Sequence, residues 1–376
     1  MKNLFLIISS AFFGIVLYGQ TDSTQAENKS SLGIEDGKLS YSLYIDNYYA
    51  YDFNQPYDGY RQSFLYQYDR HNEFNINRAV MNLSYKSKYL EANVGFNAGT
   101  FPNEFMGGRD TLFRYVYEAN FKLIPNDKFD VTIGMMAPHF GYESGLSYEN
   151  MTVSQSMVSE ATPYYIMGVK SYYHATENFD IGLTVANGWQ NIYKNPGAGG
   201  IGVGLHLFYE KENDFQLSYA NYLYNDTQDA PYSLYNEIYA KKQLGKKITL
   251  LSGFSLGLVS EKGDEFKNNV GIFTLMGQYK LSEKVALGAR YEHLEDGNGA
   301  YLNLPRPGYG LFLDGASLNL DWSPMNLVKF RLEGRVFTSQ KDIYKDDRDY
   351  DPDTSTEIAY RNVAPSILAS IQVKIH

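Results

Sequence analysis

Residues 328–337 alternate between two kinds of side chain. Lys329, Arg331, Glu333, Arg335 and Phe337 are long and mostly charged, while Val328, Phe330, Leu332, Gly334 and Val336 between them are apolar or small. A period of two marks a β-strand whose two faces meet different surroundings. The alternation returns over residues 113–123, 129–135, 179–185, 285–292, 318–322 and 367–375. No helix-period stretch of useful length competes with it.

The connections between these stretches are of two kinds and take turns. Short turns fall at residues 86–89, 125–128, 175–178, 211–214, 245–247, 282–284 and 323–326. Long polar loops span roughly 52–73, 102–112, 141–163, 188–199, 225–232, 260–269, 294–310 and 339–362. They divide the chain into about 16 strands of about 9–14 residues, the length of a tilted membrane-crossing strand.

A soluble β-sandwich has no reason to gather its short turns on one rim. A transmembrane barrel has one, because its periplasmic turns are short and its outer loops long. Closure also leaves no unpaired strand edge in hydrocarbon. The pattern predicts an all-β, antiparallel up-and-down transmembrane barrel with lipid on its apolar face and an aqueous lumen on the other. Tyr44, Tyr48, Tyr49, Tyr51, Tyr164 and Tyr165 are expected at the membrane interfaces, where amphipathic rings gather.

Composition narrows this further. The 376 residues include 35 Tyr, 22 Phe, 33 Gly and no Cys, which excludes a disulfide scaffold and a thiolate metal site. The net charge of -10 argues against a nucleic-acid partner. Lys2 followed by an apolar run over 4–18 reads as a secretory signal peptide, residues 1–20, removed on export. Residues 21–38 then form a flexible segment and 39–376 the barrel.

Four stretches carry a family likeness: "YYAYDFNQP" (48–56), "NEFNINRAVMNLSYKSK" (72–88), "ESGLSYENMTVSQSMVSEATPYYIMGVK" (143–170) and "NGWQ" (187–190). In this order they resemble the β-barrel porin-2 family of OmpL-like outer-membrane proteins, most clearly over residues 40–195. The resemblance implies a pore-forming outer-membrane barrel and brings no catalytic residues with it. Such barrels usually close on an aromatic residue; this chain closes on His376, so its assembly signal is expected to be weaker.

Strand parity gives the lumen a charged lining: Arg78, Lys86, Arg114, Glu118, Lys122, Lys170, Glu237, Lys241, Arg290, Glu292, Lys329, Arg331, Glu333 and Arg335. Walls of this kind set the electrostatics of an aqueous channel. The loop at 141–163 combines Met151, Val153, Met157 and Val158 with many hydroxyls, so it is expected to fold inward against the wall. It bears Glu143, Glu149 and Glu160 and no basic residue. Across a constriction these acids would oppose the Lys329–Arg335 row and favour cations. Leu332 is expected to face lipid and Arg331 to be dispensable for folding.

Other motifs weigh less. "GAGGIG" (197–202) satisfies the dinucleotide fingerprint but runs into an alternating strand rather than a helix. The six His are scattered, and His206 is expected to face the lumen. Asp342, Asp346, Asp347, Asp349, Asp351 and Asp353 crowd the last loop without the central Gly of a calcium loop, so a solvated acidic loop is favoured over a calcium site. The expected function is passive diffusion of small hydrophilic solutes, with no cofactor and no reaction. Expected contacts are outer-membrane lipid and, as open alternatives, further copies of the chain or other outer-membrane proteins. The rival reading is a non-conducting barrel that serves as a structural or docking subunit.

Overall fold

The computed structural model describes residues 37–105, 112–194, 200–225, 232–260, 266–348 and 358–375. The expected leader lies outside the described residues, as does nearly all of the segment 21–38. The first strands are β1 (Lys38–Asp52), β2 (Phe74–Lys86), β3 (Leu90–Ala98), β4 (Val116–Asn126), β5 (Phe129–Met136) and β6 (Ile166–Thr176). They continue with β7 (Phe179–Ala186), β8 (Gly202–Lys211), β9 (Phe215–Tyr224), β10 (Ser233–Leu244), β11 (Ile248–Ser260) and β12 (Phe266–Lys280). The last are β13 (Val285–Asp296), β14 (Leu311–Met325), β15 (Val328–Thr338), β16 (Tyr344–Asp346), β17 (Ala359–Arg361) and β18 (Val363–Ile375).

All but β16 and β17 close into one antiparallel barrel of 16 strands, sealed where β18 pairs with β15 on one edge and β1 on the other. β16 and β17 form a small hairpin inside the last long loop. The seven tight turns fall on one rim and the eight long connections on the other, at the places the sequence pattern gives. Closure pairs every strand, so no backbone edge meets lipid.

The pleat sorts side chains as expected. On β15, Leu332 is 46% exposed on the outside while Glu333 beside it is 1% exposed within. Leu318, Leu320 and Trp322 of β14 and Ile367 and Ile371 of β18 continue the outward apolar belt.

Three local departures move side chains off their expected places. Gly95 pairs with Glu118 but Phe96 with Val116, so Tyr117 is an extra residue on β4. A β-bulge of this kind locally turns the strand, and the Tyr117 ring lies inside, 5.4 Å from the Arg78 guanidinium. Arg114, expected on the strand, sits instead in a 3-10 turn (Phe113–Tyr115) ahead of it, bonded to Asn103 Oδ1 at 3.0 Å. Tyr44 and Tyr48, expected at the membrane interface, are buried on the lumen side because they share parity with Asp46. Tyr165 is likewise buried, packed with Phe101 and Met135.

The lumen holds the core. Phe64 and Leu65 from the first long loop, Met157, Val158 and Ala161 from the third, and Leu302, Ile343 and Tyr344 from the last two meet one patch of wall. That patch is Val270, Ile272, Leu294, Leu311, Leu313, Phe337 and Ala364 of β12–β15 and β18. Each Val, Leu, Ile, Phe or Met side chain buried this way contributes about 1.5–3 kcal/mol, so this side of the barrel is packed like a globular interior.

Candidate functional site

The connection between β5 and β6 enters the barrel, and every residue from 152 to 163 is buried. Its one-turn helix Met157–Ala161 starts at Ser156, whose Oγ accepts from the Ser159 N–H at 3.3 Å. Such a cap satisfies an end amide that burial would otherwise leave unpaired.

The charged row of β15 grips this loop directly. Glu333 accepts from the N–H groups of Val153 (2.8 Å) and Ser154 (3.1 Å) and from the Ser154 hydroxyl. Arg331 forks onto Asp321 and donates to the carbonyls of Ser147 and Asn150. Arg335 donates to Gln155 O at 3.0 Å and Glu292 at 2.5 Å. Arg290 reaches Ser154 O at 2.7 Å, and Glu292 accepts from Met157 N–H at 2.6 Å. Lys329 donates to Tyr148 O and lies 4.3 Å from the Tyr148 ring centre.

Two expectations fall here. Arg290, Glu292, Arg331, Glu333 and Arg335 do not border water; they are buried beneath the loop. The acidic loop does not oppose the Lys329–Arg335 row across a gap, because it lies on that row. A buried charge is costly unless paired and hydrogen-bonded, and unused backbone amides and carbonyls of an inserted loop supply those partners. Arg78 and Glu237, also expected to line water, are buried the same way: Arg78 donates to Gly145 O at 2.9 Å, and Glu237 accepts from Gly141 N–H at 2.6 Å.

The loop's own acids divide. Glu143 is half-buried and ties the loop to itself, accepting from Ser156 N–H at 2.8 Å and the Ser159 hydroxyl at 2.7 Å. Glu160 is buried and accepts from Tyr66 N–H and the Tyr164 hydroxyl, both at 3.1 Å. Burial pushes its carboxyl up to about 8. Glu149 alone of the three is exposed, and it pairs with Lys374.

A closed barrel with one-sided turns and a loop drawn into its lumen is a porin architecture, and the sequence match agrees. The family model described as "Putative beta-barrel porin-2, OmpL-like" matches residues 38–360. The chain belongs to this family. It is a porin-type barrel of the outer membrane, and its apolar face meets lipid. Among solved structures, the outer membrane channel DcaP of Acinetobacter baumannii superposes with a TM-score of 0.59 at 9% identity, covering 90% of this chain and 97% of that one. An anion-selective porin from Comamonas acidovorans gives 0.58 at 9% identity, covering 90% and 100%. Salmonella typhi OmpF, in complex with daunomycin, gives 0.57 at 13%, covering 90% and 98%. At such identities these likenesses establish the fold. No relative is found among curated proteins.

The remaining lumen charges of this porin-2 barrel sit on the opposite wall. Glu118 and Lys122 of β4, Lys170 of β6 and Lys241 of β10 face inward and are half-exposed. Lys86 lies at the short-turn rim, exposed and paired with Glu91 at 2.6 Å. None of the three β4–β10 lysines forms an ion pair among the described residues.

Asp46 was not singled out from the sequence. It is fully buried on the lumen face of β1 and accepts from the Tyr68 hydroxyl (2.6 Å), the Ser370 hydroxyl (2.6 Å) and Asn77 Nδ2 (3.2 Å). Tyr68 belongs to the first long loop, so Asp46 holds that loop inside. Its parity with Tyr44 and Tyr48 was the available signal. Asp321, which the alternation puts on the polar face with Asn319, was likewise not named among the lumen charges.

His206 faces the lumen as expected, with Ser218 Oγ 2.9 Å from Nε2 and the Tyr172 hydroxyl 2.7 Å from Nδ1. Ser218 is buried and the third group is a phenol, so the three side chains brace the wall from β6, across β7, to β8 and β9. Residues 197–199 of "GAGGIG" lie outside the described residues; from Gly202 the chain is strand, as the sequence reading expects, and a Cβ on Gly204 would lie 2.4 Å from His139 Nε2. In the last loop, Asp346 pairs with Arg348 and Arg361 and Asp347 with Lys345, while Asp349, Asp351 and Asp353 lie outside the described residues. No group of acids and histidines suited to a metal ion occurs among the described residues.

Proposed function

We propose that this barrel passes small hydrophilic solutes by diffusion, along the β4–β10 side of its lumen. The observation that carries this is the asymmetry of the wall. Charges on β13–β15 are buried and spent on the inserted loop, whereas Glu118, Lys122, Lys170 and Lys241 remain half-exposed on the inner face. Half-exposed lysines without a carboxylate partner hold water at the wall, and a solute path follows wetted wall. Residues 141–151, apart from the buried Ser147 and Asn150, are the less buried part of the loop.

A second reading has its own support. Among the described residues four buried clusters lie within the barrel, and three of them draw buried loop residues from two or more connections. That packing also suits a plugged barrel whose long loops dock a partner. Purified protein inserted in a planar lipid bilayer separates the two. Discrete conductance steps are expected; a silent, folded barrel would favour the docking reading.

A further inference from the structure

Strand register places inward-facing residues of neighbouring strands side by side. One such row runs Glu91, Lys122, Thr132, Lys170, Thr184 and Gly204 across β3 to β8. Glu91 is taken by Lys86, and Gly204 lies under the His139 ring. Lys122 and Lys170 are therefore the row's two charges without a counter-ion. Lys122 makes no hydrogen bond or ion pair among the described residues, and Lys170 Nζ donates to Ala137 O at 2.9 Å. Two strand spacings put their Cα atoms about 10 Å apart, within joint reach of one small anion. Thr132 stands between them. Thr184, on the far side of Lys170, is buried with its hydroxyl unpartnered.

The nearest acids are already engaged. Glu118 lies four residues along β4, about 13 Å toward the long-loop end, and accepts from Asn82 (2.7 Å) and Asn120 (3.1 Å). Asp130, one inward position toward the short turns, faces His174 Nε2 at 3.1 Å, and Asp180 faces Nδ1 at 2.7 Å. Two carboxylates on one ring are satisfied only when both nitrogens carry protons. His206 and His139 are held by Ser218, Tyr172 and Asn221.

We propose that Lys122 and Lys170, with the hydroxyls of Thr132 and Thr184, form an anion station in the lumen for small solutes bearing carboxylate or phosphate. Two mobile ammonium groups and neutral hydroxyl donors bind an oxyanion at one place along the wall without trapping it, since no rigid guanidinium fork is offered. The station rests on the conducting reading above, and it assigns that path a preferred class of solute.

The test uses full-length protein in planar bilayers under a potassium chloride gradient. It compares the wild type with the Lys122→Gln/Lys170→Gln double variant and with Lys246→Gln at an exposed short turn. The double variant is expected to lose about two- to three-fold in the chloride-to-potassium permeability ratio, and the turn variant nothing. Inorganic phosphate is expected to depress chloride current in the wild type and much less in the double variant. An unchanged ratio together with unchanged phosphate block would overturn the station while leaving conduction intact. A wild type that conducts nothing would strike the conducting reading instead. Calorimetry of phosphate on the detergent-solubilised barrel then decides the station by itself, with equal heats from wild type and double variant counting against it. Should the double variant fail to fold, Lys122→Gln, which removes no contact, repeats both measurements.

Discussion

Arg331 on β15 and Asp321 on β14 form a fork, with Nε and Nη2 each 2.9 Å from a different carboxylate oxygen. Both side chains are buried, and the same guanidinium continues into the backbone of the inserted loop. Arg331→Ala would strand Asp321 without its cation and free two loop carbonyls. A loss of roughly 3–5 kcal/mol is expected, read from urea unfolding of the purified barrel in detergent. An unaltered midpoint would mean the loop does not rest on this wall.

Leu332, one residue on, points to lipid. Leu332→Arg is expected to destabilise by roughly 2–4 kcal/mol if the position lies near the bilayer midplane. Refolding into vesicles measures it. The two neighbouring substitutions damage the barrel for different reasons: one removes a buried cation, the other inserts a charge in hydrocarbon. Thinner bilayers should therefore relieve only the second.

Glu333→Gln tests the grip on the loop. Two backbone amides lose a charged acceptor, and charge-assisted bonds are about twice as strong as neutral ones. Amide exchange at Val153 and Ser154 should accelerate by about tenfold or more, while that of the barrel strands stays the same. Exchange rates that do not move would place the holding force elsewhere in the loop.

The carboxyl of Glu160 is pushed up to about 8 from an ordinary 4.5 by burial. Because its folded-state value is raised, the folded protein binds the proton more tightly than the unfolded chain. Its contribution to stability is full below about 4.5 and declines as pH rises to about 8. Glu160→Gln is expected to flatten the decline in thermal stability between pH 5 and 9. A decline of the same slope in the variant would assign it to another group.

Orientation follows from the turns. Cys placed at Asp58, in the first long loop, should react with an impermeant reagent on intact cells. Cys at Asn126, on the short-turn rim, should not. Equal labelling at both sites would reverse or refute the topology.

The period-two alternation and the one-sided turns by themselves determined the barrel, its strand number and which face meets lipid. This was possible because a membrane strand obeys local rules. Its two faces meet hydrocarbon and lumen, and away from bulges residue parity follows from the pleat alone. The apolar residues of the 141–163 loop likewise announced that it turns inward. Only the tertiary structure decided where the loop lies. Parity shows that Arg290, Glu292, Arg331, Glu333 and Arg335 point inside, yet it treats them alike with Lys122, Lys170 and Lys241. Whether an inward charge meets water or a loop depends on contacts between residues some 135 to 184 positions apart. Burial of one loop against β13–β15 turned five charges of the expected lining into a packed interior and left Glu118, Lys122, Lys170 and Lys241 half-exposed. The bulge at Tyr117 and the 3-10 turn at Arg114 escaped for the same reason, since one added residue resets parity without leaving a mark in the alternation.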